Sequence, residues 1–231
     1  MKDFYFDKLL DINKTISAPL FLKHKTAYKV LPYISDFFKE ELFDLKDYEE
    51  IKKCVFASKY AKISSTAEIQ APCIIGHYTE IRHGAYIRGN AIIGNECVVG
   101  NSTEIKNSIL FDNVQVPHYN YVGDSCLGYK SHMGAGSITS NVKSDKSLVT
   151  IKYNGKIIET GLKKFGAIIG DNVEIGCSAV LNPGSIIFKN SNIYPLTSVR
   201  GVVPENSIYK NKDEIITKTW KQVKFWNYGT F

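Results

Sequence analysis

The side chains able to do chemistry in this sequence recur on a six-residue beat. Arg88 and Lys106 occupy the same position of their units and stand one coil apart, if three units close a coil of about 18 residues. Cations one coil apart lie within about 5 Å of each other, which is unfavourable unless an anion or a carboxylate sits between them. The pair therefore marks an anion site, against the plainer reading of solvated cations that splay apart. Arg82 and His118 share another side two coils apart, and an imidazole is the side chain best suited to accept and return a proton near neutral pH. His77 and His83 fall on different sides at a corner position where histidine tolerates left-handed geometry, and with His118 and His132 they complete no recognisable zinc-ligand triplet. Cys54, Cys73, Cys97, Cys126 and Cys177 contain no CxxC pair and read as inert, reduced thiols.

The beat that places these groups is an apolar residue at every sixth position from Ile63 to Phe111, resuming from Ile169 to Val199. Neither a helix nor an isolated strand has that period, but a hexapeptide repeat does. The fifth position of each unit is small or short (Ala67, Cys73, Ala85, Cys97, Ala179), so one bulky and one small residue point inward. The third position carries Gly89, Asn95, Asn101, Asn107, Asn113 and Asn172, types that tolerate the left-handed backbone of a corner. Each unit reads as a short strand plus a corner, three units as a triangular coil, and stacked coils as a column that pairs its own backbone around an apolar core. The expected fold is an all-β solenoid with a small N-terminal helical segment and a hairpin insertion. Residues 1–58 form a helical cap, 59–210 about six coils of repeat, and 211–231 a tail.

Apolar spacings of three and four make residues 16–53 helical, with Pro19 and Pro32 limiting continuity and Asp44 or Asp47 capping a second helix through Tyr48 and Ile51. This segment is expected to pack on the first coil, because an open coil edge templates aggregation. The beat fails between Pro117 and Ile169, where a five-residue step separates Val122 from Leu127. There an arm at about 140–166 carries Val149–Tyr153 and Lys156–Thr160 around Asn154-Gly155, a type I′ hairpin signal, and is expected to reach out of the column toward a neighbouring subunit. The tail, through Trp220 and Trp226, is expected to close the bottom.

Lys and Arg total 29 against 23 Asp and Glu, a net charge of +6 that favours anionic partners, nucleic acid and phosphorylated small molecules alike. No aromatic–basic recognition motif favours nucleic acid. No stretch approaches a membrane span, and the opening MKDFYFDKLLD lacks a basic region followed by an apolar run, so the expectation is a cytoplasmic protein with no membrane partner.

Four segments carry a resemblance: Thr103–Lys106, Pro117–Asp124, Met133–Asn141 and Lys163–Gly170. They resemble the acetyltransferase half of the bifunctional UDP-N-acetylglucosamine pyrophosphorylase/glucosamine-1-phosphate acetyltransferases. More closely still, they resemble the C-terminal domains of archaeal-type sugar-1-phosphate nucleotidylyltransferases, over about Ile63 to Lys210. The resemblance implies a left-handed parallel β-helix, where the general crossover preference would give the opposite hand, and a homotrimer with ligand sites in the clefts between columns. It implies an N-acetyltransferase that takes acetyl-CoA as cosubstrate, an amino-sugar phosphate as acceptor and no metal. Carried over by position, His118 is the general base, Arg82, Lys106 and Lys164 hold the sugar phosphate, and Tyr121 and Glu104 orient the sugar. A backbone N–H near Ala135 stabilises the oxyanion, and acetyl-CoA lies along Ala135, Cys177 and Pro195 with Lys210 or Lys212 facing its phosphates. Three positions depart from the pattern: HLTY reads His118-Tyr119-Asn120-Tyr121, His132 replaces an asparagine near the substrate, and Cys177 replaces a serine near the thioester. Glucosamine-1-phosphate leads as acceptor, with galactosamine-1-phosphate and nucleotide-linked amino sugars behind it.

Two readings compete. The first is a non-catalytic binding or assembly module related to the nucleotidylyltransferases, whose own glycine-rich loop does not open this chain, so that nucleotidyl transfer is not expected from it. The second, more remote, is a trimeric zinc enzyme of the carbonic anhydrase type.

Overall fold

The computed structural model describes residues 4–40 and 46–219. Three parallel sheets run side by side and make a triangular column, a left-handed β-helix. The first face runs from Val55–Ser58 through Cys73–Ile75, Ala91–Ile93 and Ser108–Leu110 to Val202–Val203. The second runs from Lys62–Ile63 through Glu80–Ile81 and Gln115–His118 to Ser207–Asn211, and the third, 7-stranded, from Glu68–Ile69 through Glu104–Lys106 and Tyr121–Gly123 to Ser198–Val199. Ile75, Ile93 and Val99 are all 0% exposed, as residues of a continuous inner column must be. An antiparallel strand covers one face at each end of the column, Tyr48–Lys52 pairing with Val55–Ser58 on the first face and Glu214–Thr217 with Ser207–Asn211 on the second. Tyr48–Lys52 is thus a strand and not the second helix that the spacing predicts, because edge pairing overrides a weak helical pattern. Asp44 lies outside the described residues, as do Trp220 and Trp226.

The beat slips by one residue where the sequence still appears regular. Arg88, Gly89 and Asn90 turn the corner from Ile87 to Ala91, whereas only Lys106 and Asn107 connect Ile105 to Ser108 in the coil below. Leu110, not Phe111, therefore stacks beneath Ile93. Phe111 leaves the inner column and packs edge-on against Phe21, ring centroids 5.4 Å apart. From this corner onward the register puts His118 beside Asn101, one position away from the alignment with Arg82 that the sequence spacing predicts.

The corners also differ in detail from the expected pattern. Asn107, Asn113, Asn172 and Gly89 have positive φ as expected, but at Asn95 and Asn101 the left-handed residue is the next one, Glu96 and Ser102, both at 53°. Likewise Tyr78 and Gly84, not His77 and His83, carry the positive φ. Asn95 serves instead as an acceptor, its Oδ1 taking the His77 N–H at 2.8 Å.

The N-terminal segment does not sit on the open end of the first coil. Its helices Ala18–His24 and Ile34–Lys39, joined by the 3-10 turn Ala27–Tyr33, run along the outside of the first face. The reason lies in the triplets of that face, which are apolar at the outward position too. Ile74, Ile92, Ile109, Ile168 and Ile186 are fully buried, so this sheet is covered on both sides. Asp171 anchors the cover: Oδ2 accepts the Asp11 N–H at 2.8 Å, Oδ1 the Tyr129 N–H at 2.9 Å, and Lys189 pairs with it at 3.2 Å.

The arm forms the expected hairpin, Thr150–Tyr153 with Lys156–Glu159 around Asn154-Gly155, both of positive φ. It folds back rather than reaching away. Val149, Ile151 and Phe165 are fully buried, Tyr153 meets Phe4 edge-on, and Thr150 and Lys152 lie against Gly184 and Gly201 of the column's lower corner. Alternation puts Ile151 inward and leaves Ile157 exposed.

Candidate active site at a corner of the column

One corner, between the second and third faces, gathers four of the candidate residues. The residue after each corner position has a left-handed backbone and donates its N–H to the corner carbonyl of the coil above. Tyr119 donates to Asn101 at 2.9 Å, Gly136 to His118 at 3.0 Å, Ser178 to Ala135 at 2.8 Å and Leu196 to Cys177 at 3.0 Å. His118, Ala135, Cys177 and Pro195 therefore form a single ridge, with Pro195 next below Cys177 by the Ile175–Ile193 register. His118 and Cys177 are exposed on it, and among the described residues no hydrogen bond engages the His118 imidazole or the Ala135 N–H.

Two features fix His118. Pro117, before it, has its carbonyl packed so closely on Gly100 that a Cβ there would stand 1.5 Å from the oxygen. Asn120, after it, is buried at 2% exposure; its Oδ1 accepts the His118 N–H, and its Nδ2 donates to the Gly134 carbonyl at 2.8 Å and to Ser137. The departure from HLTY thus supplies a strut between the candidate base and the next coil.

Around the ridge, the third face carries a basin of charge. Glu104 accepts a hydrogen bond from Arg88 at 2.8 Å, which supplies the carboxylate that the Arg88–Lys106 spacing demands. Lys106 lies against Lys164, and burial together with that neighbouring ammonium lowers its pKa, with Asp124 opposing the shift. The Tyr121 ring lies flat over Gly123, where a Cβ would meet its hydroxyl at 2.5 Å. That hydroxyl receives Asn141 Nδ2 at 3.2 Å, and Tyr121's pKa is raised, by burial first and then by the carboxylates of Glu104 and Asp124. Spacing reads Asn107 only as a corner residue and gives no site role to Asp124 or Asn141, although these two end two of the four resembling segments.

Other candidates stand apart from this basin. Arg82 is on the second face, ion-paired with Glu80 at 3.1 Å in a cleft of about 520 Å³ that also takes in Lys62, His83 and Asn101. His132 is on the same face, its Nδ1 2.8 Å from Glu174. Lys210 sits at the bottom edge, already paired with Glu214 at 2.6 Å, and Lys212 is in the adjoining turn, 3.9 Å from Asp213. His77 and His83 hydrogen-bond Ser58 and Thr66, and among the described residues no three His, Cys, Asp or Glu converge as metal ligands.

The family model for the GMPPB C-terminal domain matches residues 69–187, the stretch that contains the ridge from His118 to Cys177 and the whole basin. Among curated proteins, a bifunctional GlmU protein of Methanococcus maripaludis is 38% identical over 109 residues, 47% of this chain and 26% of the relative. A bifunctional sugar-1-phosphate nucleotidylyltransferase/acetyltransferase of Sulfurisphaera tokodaii is 32% identical over 173 residues, 75% of this chain and 43% of the relative. The chain thus spans about a quarter of the length of the GlmU protein and under half of the Sulfurisphaera relative. Among solved structures, the acetyltransferase domain of PglB from Neisseria gonorrhoeae in complex with acetyl coenzyme A aligns with a TM-score of 0.35 at 14% identity, over 70% of this chain and 56% of that one. With the family match covering more than half its length, the chain belongs to the GMPPB C-terminal domain family.

Proposed function

We propose that this chain transfers an acetyl group from acetyl-CoA to the amine of an amino-sugar phosphate, glucosamine-1-phosphate first. The observation that carries the reading is the ridge together with the basin: an imidazole and an Ala135 N–H on adjacent coils, neither with a hydrogen-bond partner among the described residues, and three cations on the third face that starts from this corner. Arg88, Lys106 and Lys164 hold the phosphate, and Glu104 and Tyr121 orient the sugar. His118 takes a proton from the amine as nitrogen attacks the thioester carbon. The developing oxyanion takes the Ala135 N–H, and the C–S bond then breaks, CoA leaving with the proton that His118 returns. The name of the Sulfurisphaera relative, a bifunctional nucleotidylyltransferase/acetyltransferase, supports the acetyltransferase reading. In a homotrimer, Arg82 and His132 would approach the basin from the second face of a neighbouring copy.

The competing module reading draws on one observation: Arg82 and His132 are already engaged by Glu80 and Glu174. Acceptor-dependent thiol release from acetyl-CoA, with product masses recorded for glucosamine-1-phosphate, galactosamine-1-phosphate and nucleotide-linked amino sugars, decides between them. Release that disappears in a folded His118→Ala protein supports transfer; no release with any acceptor leaves the module.

A further inference from the structure

The helical cover of the first face touches the basin at two points, and those points close a ring. Tyr28, fully buried in the 3-10 turn Ala27–Tyr33, stacks on Phe165 with centroids 5.5 Å apart at 24°. Phe165 follows Lys164 and donates its N–H to the Asn141 carbonyl at 3.0 Å. Asn141 Nδ2 donates to the Asp124 carboxylate, buried at 5% exposure, as well as to the Tyr121 hydroxyl. Asp124 Oδ1 in turn accepts from Asn107 Nδ2 at 2.9 Å, and the same amide reaches the Leu31 carbonyl at 3.5 Å. Asn107 follows Lys106. Tyr28 and Leu31 are one turn apart in a 3-10 helix, where residues i and i+3 lie on the same side, so the ring closes on a single turn of backbone.

We propose that the turn Ala27–Tyr33 is a positioning element of the acceptor site, Tyr28 acting through Phe165 on Lys164 and Leu31 acting through Asn107 on Lys106. Two like charges held side by side repel, and each lysine is followed in sequence by a residue clamped to this turn. Without the clamps the two side chains separate and lose the geometry that a single phosphate group can bridge. The inference rests on the proposed acceptor basin and adds to it a segment that lies entirely outside the repeat.

The test separates positioning from packing. Tyr28→Leu keeps an apolar volume but removes the ring, and Asn107→Gly keeps the left-handed backbone, φ 46°, but removes the amide. Each is expected to raise the acceptor KM about 3- to 10-fold while kcat and the acetyl-CoA KM stay within about twofold. Calorimetric affinity for inorganic phosphate should fall by the same factor. Tyr28→Phe, which keeps the ring and loses a hydroxyl that has no hydrogen-bond partner among the described residues, should restore the acceptor KM. Folded Tyr28→Leu and Asn107→Gly proteins with unchanged acceptor KM and phosphate affinity overturn the inference. A Lys106→Ala protein that binds phosphate as tightly as the parent removes the basin itself, and the inference with it.

Discussion

The His118 carbonyl accepts the Gly136 N–H at 3.0 Å, so the candidate base and the Ala135 N–H are locked to adjacent coils of one corner. The locking is backbone to backbone and repeats down the ridge, which makes the spacing between imidazole and oxyanion donor a property of the solenoid rather than of any loop.

Gly100 sets the height of His118 on that ridge. A Cβ at this position would stand 1.5 Å from the Pro117 oxygen and 2.4 Å from the Pro117 Cα, both backbone atoms that cannot swing away. Gly100→Ala should therefore shift the Pro117–His118 strand and lower kcat for acetyl transfer at least about tenfold, since an ångström of misplacement is enough. Steady-state kinetics on a variant with parental circular dichroism is the check; full activity would show that His118 does not need this register.

Thiol reactivity reports where the cosubstrate lies. Cys54 and Cys177 are exposed, whereas Cys73, Cys97 and Cys126 are buried, and burial raises their thiol pKa, that of Cys97 to about 12. A neutral disulfide reagent should label Cys54 and Cys177 alone in the native protein. Saturating acetyl-CoA should protect Cys177 and leave Cys54 reactive, as mass spectrometry of labelled peptides will show. Equal protection of both, or of neither, would move acetyl-CoA off the ridge.

The inner column was legible in the sequence because the inside of the prism repeats geometrically: Ile81, Val99 and Ile105 fall on the beat and are buried. The slip at Asn107 was not, since Phe111 happens to be apolar at the expected place while serving Phe21 at a corner. The covered face left a signal in Ile74, Ile92 and Ile109, apolar where a solvated face would be polar, but nothing local says which segment covers it. Among the site residues, Glu104 and Lys106 are on one face by periodicity, and Arg88 with them. The Asn107–Asp124–Asn141 ring depends on hydrogen bonds across a shortened corner, and the hairpin's docking on Gly184 and Gly201 depends on tertiary packing, neither of which has a period to read.

Phe21 ties the helical cover to the column. It is fully buried, in edge-on contact with Phe6 at 6.2 Å and Phe111 at 5.4 Å. Phe21→Ala should cost about 3–5 kcal/mol, the usual range for a large buried aromatic replaced by alanine. The denaturant midpoint should fall accordingly, with amide exchange in residues 18–39 accelerating before that of the solenoid strands. Uniform exchange throughout would mean that the cover and column unfold as one unit.

Phosphate binding should be coupled to proton uptake at Lys106. Burial, and then the Lys164 ammonium beside it, holds the Lys106 pKa below the ordinary 10.5 in the free protein. A bound phosphate dianion favours the charged form and raises that pKa again. The bound state therefore has the higher pKa of the two. Its contribution to affinity is complete at pH values below the free-state pKa and is lost as pH rises through the bound-state value. Calorimetry on inorganic phosphate in alkaline buffers of different ionisation enthalpy should show net proton uptake. Lys106→Arg should remove the alkaline uptake, because a guanidinium keeps its proton throughout that range. Binding with no buffer dependence at alkaline pH would place the phosphate away from the Lys106–Lys164 pair.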